Sequence, residues 1–144
     1  MSESNVVKLS DNKVADEVAE AEFDRFLDCM DIDAGLRGMD DEDRAAFFES
    51  KRRFLRAVKN GSLVVNENGE PVFTPVKSDN TNPITFREPE GAHLMQADTK
   101  KKDHAVTKFY AMMAGLTGES VQRFAKMKQR DLAVCQAIAL ILLG

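Results

Sequence analysis

The stretch that decides the fold is Ser62-Leu-Val-Val-Asn-Glu-Asn-Gly-Glu-Pro-Val-Phe-Thr-Pro-Val76, which lies between segments with helical periodicity. Two short runs rich in β-favouring residues, 62–66 and 71–76, flank the dipeptide Asn68-Gly69. Both residues of that dipeptide tolerate positive φ, and the combination is typical of a tight turn between antiparallel strands. The stretch therefore predicts a β-hairpin.

The rest of the sheet follows from the prolines and from the next apolar alternation. Pro71 and Pro75 have no amide proton to donate, so the second strand is predicted at an edge of the sheet. A third strand is predicted at 83–89, where Ile84 and Phe86 face one way and polar residues face the other. The middle of the chain thus predicts a hairpin or a three-stranded antiparallel sheet.

Two helices are predicted before the hairpin. The first begins at Val14 and runs to Met30, because its apolar residues recur at i, i+3, i+4 and i+7. The second follows Asp40, a residue type that favours the N-cap, and has acids in its first turn, where the helix dipole favours them. Asn60-Gly61 is a suitable C-terminal stop for it.

Helical periodicity returns after Pro89. We predict a short helical turn at 91–98, an amphipathic helix at 103–114 ended by Gly115-Leu-Thr-Gly118, and a short helix at 120–128. A last helix, capped by Asp131, is predicted to run to Leu143. The predicted fold is α+β and predominantly α-helical, with about five helices. Residues 1–12 are predicted to be a disordered tail and 13–144 a single domain, divided into helices (13–60), sheet (61–89) and helices (90–144).

Composition is ordinary for a globular protein of 144 residues, with 43% hydrophobic and 31% charged residues. The amino terminus lacks the basic start and apolar run of a secretory signal, and the apolar stretch 132–143 is too short to cross a bilayer. Cys29 and Cys135 each lie on an apolar helical stripe, which predicts small buried side chains in a reducing compartment. We therefore expect a soluble cytoplasmic protein.

Motifs for catalysis are absent from the sequence. It has no phosphate-binding glycine loop, nucleophile elbow or paired-cysteine metal motif. His93 and His104, with Asp98 and Asp103 between them, lack the i, i+4 spacing of a two-histidine metal site and are interpreted as surface residues. The sequence therefore predicts no enzyme, no cofactor and no metal.

Charge is distributed unevenly along the chain. Residues 11–49 hold 14 acids and 4 bases, whereas the segment Lys51 to Lys59 holds five bases and no acid. These bases could contact nucleic-acid phosphates, which makes a nucleic-acid-binding accessory or regulatory protein the alternative function. They could instead pair with Asp43, Glu49 and the acidic first helix, and the sequence pI of about 5.2 favours that interpretation.

The last helix carries apolar residues all round, which predicts that it is buried on every side. It is either the central core helix of the domain or is partly covered by a partner or a second copy of the chain. Met112, Met113 and Met127 would suit an adaptable surface for apolar segments, or ordinary core packing. The sequence leaves these alternatives open.

From residue 44 to residue 144 the order of motifs resembles the tail assembly chaperones of long-tailed bacteriophages. The motifs are Ala57-Val-Lys-Asn-Gly-Ser-Leu63, Val65-Asn-Glu-Asn-Gly-Glu-Pro-Val72, Ile84-Thr-Phe-Arg-Glu-Pro89 with Gly91 and Leu94, Ala114-Gly-Leu-Thr-Gly118 and Asp131-Leu132. The acidic first helix departs from the usual pattern of such proteins.

The resemblance implies a transient chaperone of the tape measure protein, a very long helical chain, that also helps recruit tail tube subunits and is absent from the finished virion. Such a chaperone binds amphipathic helices in apolar grooves and gains affinity from several copies, so a homo-oligomer is expected. The expected contact surface lies on the last three helices, at Phe109, Met112, Met113, Leu116, Phe124, Leu132, Ile138 and Leu142. The strand end Phe86-Arg87-Glu88-Pro89 is expected to orient those helices.

Overall fold

The computed structural model of the protein describes residues 14–32, 40–90 and 105–143. These residues form an α+β fold that is predominantly helical and includes a small antiparallel sheet, as predicted. In chain order the elements are α1 (Asp16–Cys29), α2 (Asp41–Lys59), β1 (Leu63–Val65), β2 (Pro71–Phe73), β3 (Ile84–Thr85), α3 (Ala105–Thr117), α4 (Val121–Ala125) and α5 (Gln129–Leu143). The predicted tail at 1–12, the predicted turn at 91–98 and both histidines lie outside the described residues.

The hairpin and the third strand form one sheet in the order β1-β2-β3. Leu63 lies opposite Phe73, and Phe73 lies opposite Ile84, so these three buried side chains share one face. The prediction that the second strand is an edge is wrong, because β2 is the central strand. Its proline is tolerated there because Pro71 is the first residue of the strand, and its carbonyl oxygen still accepts a hydrogen bond from the Phe86 amide at 2.8 Å.

The turn between β1 and β2 is organised by one side chain and one glycine. The Asn66 Oδ1 atom accepts hydrogen bonds from the amides of Asn68 and Glu70, at 2.9 and 3.0 Å. Gly69 has φ +81°, whereas among the described non-glycine residues only Asp31 has a positive φ. The turn therefore depends on the left-handed conformation of Gly69 alone, and not on both residues of the predicted dipeptide.

Helix α1 holds the tip of this hairpin. The Arg25 guanidinium donates hydrogen bonds to the carbonyl oxygens of Val65 and Asn66, at 2.6 and 2.8 Å. A Cβ atom placed on Gly69 would lie 2.1 Å from the Cβ atom of Cys29. The close approach of the turn to α1 thus requires glycine at position 69.

Helix α2 begins and ends where the sequence predicts. The Asp40 side chain accepts a hydrogen bond from the Asp43 amide at 2.7 Å and so caps the helix. Gly61 has φ +87° just beyond the last turn, a conformation that suits glycine. The N-cap and the stop together confirm the predicted boundaries.

The core joins α1 and α2 to the sheet and to α5. Phe23, Phe26 and Phe54 are almost fully buried, and the centroids of the Phe26 and Phe54 rings are 5.0 Å apart in a stacked arrangement. Burial of each such ring stabilises the fold by about 2–3 kcal/mol relative to an exposed ring. The same cluster includes Cys135 and Ile138 of α5, which makes α5 a core helix.

Three local predictions need correction. Helix α3 continues through Gly115 and stops only at Gly118, whose φ is +76°. Asp131 does not cap the last helix, because α5 already begins at Gln129. Cys29 is exposed, whereas Cys135 is buried as predicted.

A candidate partner-binding groove and a basic cleft

Helices α2 and α5 make the most extensive helix–helix contact among the described elements. A groove is lined by α2 residues 46–53 and α5 residues 129–140, and a cleft is lined by α2 residues 52–57 and α5 residues 130–134. Small residues allow this close approach, since Ser50 of α2 and Ala137 of α5 are buried between them. Both surfaces described below lie along this helix pair.

The first surface, the α2–α5 groove, has a volume of about 430 Å³. Its apolar lining is mostly alanine, with Leu132 half-buried and Leu140 51% exposed. Its polar lining consists of Glu49, Ser50, Arg53, Gln129 and Gln136, and its remaining apolar lining of Ala46, Ala133 and Ala137. A shallow apolar floor with charged and amide groups at its edge is suited to the apolar face of an amphipathic helix.

Five of the eight residues predicted to contact a partner lie in the core of the described structure. They are less than 9% exposed and are Met113, Leu116, Phe124, Ile138 and Leu142. Phe109, Met112 and Leu132 are half-buried, and of the eight residues only Leu132 lines the α2–α5 groove. The contact surface remains a prediction, but its accessible part is smaller than the sequence suggested.

Leu140 is the groove residue that sequence reasoning did not select. The useful signal was Gln136, the only polar side chain in the run 132–143. Positions i−4 and i+4 from Gln136 are Leu132 and Leu140, and residues four apart lie on the same helical face. The single glutamine therefore marks the solvent-facing side of α5.

The strand end Phe86-Arg87-Glu88-Pro89 lies against the end of α3. The Arg87 amide donates a hydrogen bond to the carbonyl oxygen of Leu116 at 3.0 Å, and the Phe86 ring is fully buried in the core. Carbonyl groups in the last turn of a helix have no hydrogen-bond donor within that helix, and the Arg87 amide supplies the donor for one of them. The predicted motif is thus in direct contact with α3.

The second surface, the basic cleft, has a volume of about 190 Å³ and lies towards the carboxy-terminal end of α2 and the start of α5. Its cationic lining comes from Arg52, Arg53, Arg56, Lys77 and Arg130. The apolar lining is Ala57, Phe73, Val76 and Val134, and the remaining polar residues are Asn60, Ser62 and Asp131.

Asp131 fixes the loop that forms one wall of this cleft. Its Oδ1 atom accepts a hydrogen bond from the Val76 amide at 2.9 Å, and its Oδ2 atom accepts bonds from the amides of Lys77 and Ser78 and from Ser78 Oγ, at 2.8, 2.8 and 2.7 Å. Burial of the carboxylate, which is 3% exposed, acts to raise its pKa, but these hydrogen bonds outweigh burial and the pKa of Asp131 is lowered. Asp131 is therefore a buried anion that ties the 76–78 loop to α5.

Most of the basic segment Lys51 to Lys59 is paired with carboxylates. Lys51 lies 3.3 Å from Glu20, and Lys59 lies 3.2 Å from Asp16, so two of the bases contact the acidic α1. Arg52 and Arg53 both contact Glu49, at 2.6 and 3.2 Å, and the hydrogen bond from Arg52 lowers the pKa of Glu49.

These pairs support the interpretation that the run neutralises nearby acids. A pair with Asp43 is not seen among the described residues. Arg56, the fifth base, lines the basic cleft instead.

The buried Cys135 thiol and the possible metal ligands are the remaining groups that bear on covalent or metal chemistry. The Cys135 thiol is fully buried 3.7 Å from the Met127 sulfur, and burial raises its pKa, which keeps it protonated. Within the described ranges, His, Cys, Asp and Glu residues form no group of three or more that could hold a metal ion. Among the helices of the described ranges, none has the length and apolar character that crossing a bilayer requires.

Comparisons of the chain with protein-family models, with curated proteins and with solved structures gave no match.

Proposed function

We propose that this chain is a phage tail assembly chaperone, which binds the tape measure protein and helps recruit tail tube subunits during tail assembly. The proposal rests on the ordered motifs between residues 44 and 144 and on one structural observation, the α2–α5 groove with its apolar floor and polar edge. The function is protein binding and not catalysis. It takes place in the cytoplasm of the host bacterium, and the protein is not part of the mature virion.

The groove explains how such binding would be selective for amphipathic helices. A partner helix would place apolar residues at i and i+7 or i+8 on Leu132 and Leu140, which are eight residues apart on α5. Its flanking polar residues would meet Glu49, Arg53 and Gln136, which keep their hydrogen-bonding groups near water. A fully apolar helix would cover Glu49, Arg53 and Gln136 without offering them hydrogen bonds and would bind less well.

The groove also explains why several copies would be needed. It extends over about three turns of α5, from 129 to 140, whereas a tape measure protein is a very long helical chain. One groove can cover only a short segment, so several copies acting together give the affinity that one contact lacks. A homo-oligomer is therefore part of the proposal.

Co-expression with the product of a neighbouring gene that encodes a very long helical protein tests this function. We expect the wild-type chain to keep that product in solution and to co-purify with it. Leu140→Asp places a charge among the apolar residues that line the groove and should abolish both effects. Val18→Asp is the matched control, because Val18 is 52% exposed and lies on α1 outside the groove. Equal solubilisation by wild type and Leu140→Asp would refute the groove as the binding surface.

A further inference from the structure

We infer that the basic cleft binds an acidic segment of a protein partner. Carboxylates of that segment contact Arg56, Lys77 and Arg130, and an apolar side chain of the segment lies beside Val76. The inference rests on the proposed function only in taking the partner to be a protein. It concerns a different surface from the α2–α5 groove, although the two surfaces share Arg53.

The cleft has an excess of cations that the described structure does not neutralise. Of its five cationic side chains, Arg52 and Arg53 share the single carboxylate of Glu49. Arg56, Lys77 and Arg130 are exposed and have no ion pair within the described residues.

Among the residues that the structure describes, the only acid that lines the cleft is Asp131. Its oxygens are already occupied by three amides and a hydroxyl of the 76–78 loop. The excess positive charge is therefore available to an external anion.

The cleft is also partly apolar, which distinguishes it from a simple charged surface. Val76 is 59% exposed at the cleft, and Val134 is half-buried beside it. An apolar side chain of a ligand would cover Val76 and remove apolar area from water, which is favourable in addition to the ionic contacts. A small inorganic anion could not make this contact, whereas an acidic peptide could.

The surroundings favour an acidic peptide over nucleic acid. The volume of about 190 Å³ accommodates a few side chains and does not form a continuous track for a phosphate backbone. Lys51 and Lys59, which would extend such a track along α2, are paired with Glu20 and Asp16 of α1. Further exposed acids on α1, at Glu17, Asp24 and Asp28, would repel a polyanion passing over that helix.

The wall of the cleft is held in place before any ligand binds. Asp131 accepts hydrogen bonds from three successive amides, which fixes the backbone that carries Val76 and Lys77. The Lys128 amide also donates to Ser78 Oγ at 3.0 Å, so the loop is tied to the start of α5 at two residues. A preformed wall lowers the entropy cost of binding.

Fluorescence anisotropy with a fluorescein-labelled synthetic peptide of glutamate and leucine tests this inference. The double variant Arg56→Gln/Arg130→Gln should bind the peptide roughly five- to tenfold more weakly than wild type, since each exposed ion pair contributes modestly. The matched control Arg87→Gln/Lys126→Gln removes the same charge from exposed residues outside the cleft and should bind as wild type does. Added salt should weaken binding by wild type more than by the cleft variant.

Several outcomes would overturn the inference. The first is no binding of the peptide by wild type, and the second is an equal loss of peptide affinity in the two double variants. The third is that wild type binds a DNA oligonucleotide more tightly than the peptide and that only the cleft variant loses this DNA binding. If the cleft variant fails to fold, the wild-type chain is titrated with the peptide and its amide chemical shifts are followed. The inference predicts shift changes at 76–78 and 130–134. Changes only in other segments would contradict the inference. Because no tape measure protein is used, failure of the co-expression experiment with peptide binding intact would count against the proposed function alone.

Discussion

Replacing Asp131 by asparagine removes one charge and leaves the size of the side chain almost unchanged. In the best orientation the amide oxygen takes the place of Oδ2 and keeps the amides of Lys77 and Ser78 as donors. The amide nitrogen then faces the Val76 amide, which loses its acceptor at 2.9 Å. The loss of the partner of this part-buried donor costs up to about 1–3 kcal/mol.

The remaining bonds also weaken, because hydrogen bonds to a charged acceptor are roughly twice as strong as neutral ones. Against this, a neutral amide costs less to bury than a carboxylate. We expect Asp131→Asn to lower the free energy of unfolding by about 2–4 kcal/mol, a decrease in Tm of roughly 5–15 °C. Urea unfolding at pH 7 followed by circular dichroism measures it, with Asp24→Asn on the exposed face of α1 as the control.

The effect should depend on pH with a definite sign. The pKa of Asp131 in the folded chain lies below its ordinary value of 3.8, so its charge stabilises the fold above about pH 4. That stabilisation is lost as the pH falls through the folded-state pKa, and the difference between wild type and Asp131→Asn should shrink in acid. A difference below about 0.5 kcal/mol at pH 7, or one that does not shrink in acid, would refute the role given to this carboxylate.

Three further substitutions or modifications test the structure. Gly69→Ala should lower the free energy of unfolding by about 2 kcal/mol or more, because its Cβ would lie 2.1 Å from that of Cys29 at a φ of +81°. Adding Cys29→Gly to this variant should restore part of the lost stability, measured by urea unfolding. No restoration would contradict the contact between the turn and Cys29. Ile138→Asp should lower the free energy of unfolding by more than about 4 kcal/mol and Leu140→Asp by less than about 1 kcal/mol, since Ile138 is fully buried and Leu140 is half exposed. Similar losses for the two variants would contradict the assignment of the side of α5 that faces the core. A thiol reagent should modify Cys29 at once and Cys135 only on unfolding, because Cys135 is buried and its pKa is raised; rapid modification of both thiols in the native chain would contradict the core.

The fold could be predicted from local signals where a single residue decides the geometry. Asp40 and Gly61 set the ends of α2 as predicted. Ile84 and Phe86 are both buried, as their alternation predicts, but the third strand is limited to Ile84–Thr85 and does not span 83–89. The order of the strands could not be predicted from the prolines. Whether a proline disturbs a sheet depends on its position within the paired segment, and Pro71 is the first residue of β2.

Which apolar residues of α5 are accessible could not be predicted from the sequence, because burial in this helix depends on tertiary contacts. An apolar run such as 132–143 does not show which side meets other elements, and Ile138 and Leu142, two of the residues selected from that run, are in the core. Asp131 illustrates the same limit. It has the residue type of an N-cap, but its carboxylate binds amides more than fifty positions away in the sequence, a contact that no local pattern predicts.

The central proposal is that a helix of the tape measure protein occupies the α2–α5 groove. Hydrogen–deuterium exchange of the chain, alone and in complex with a solubilised segment of that protein, tests it most directly. We expect slower exchange on complex formation at 46–53 and 129–140, the two helical segments that line the groove. Unchanged exchange in both segments, with a stable complex present, would contradict the proposal.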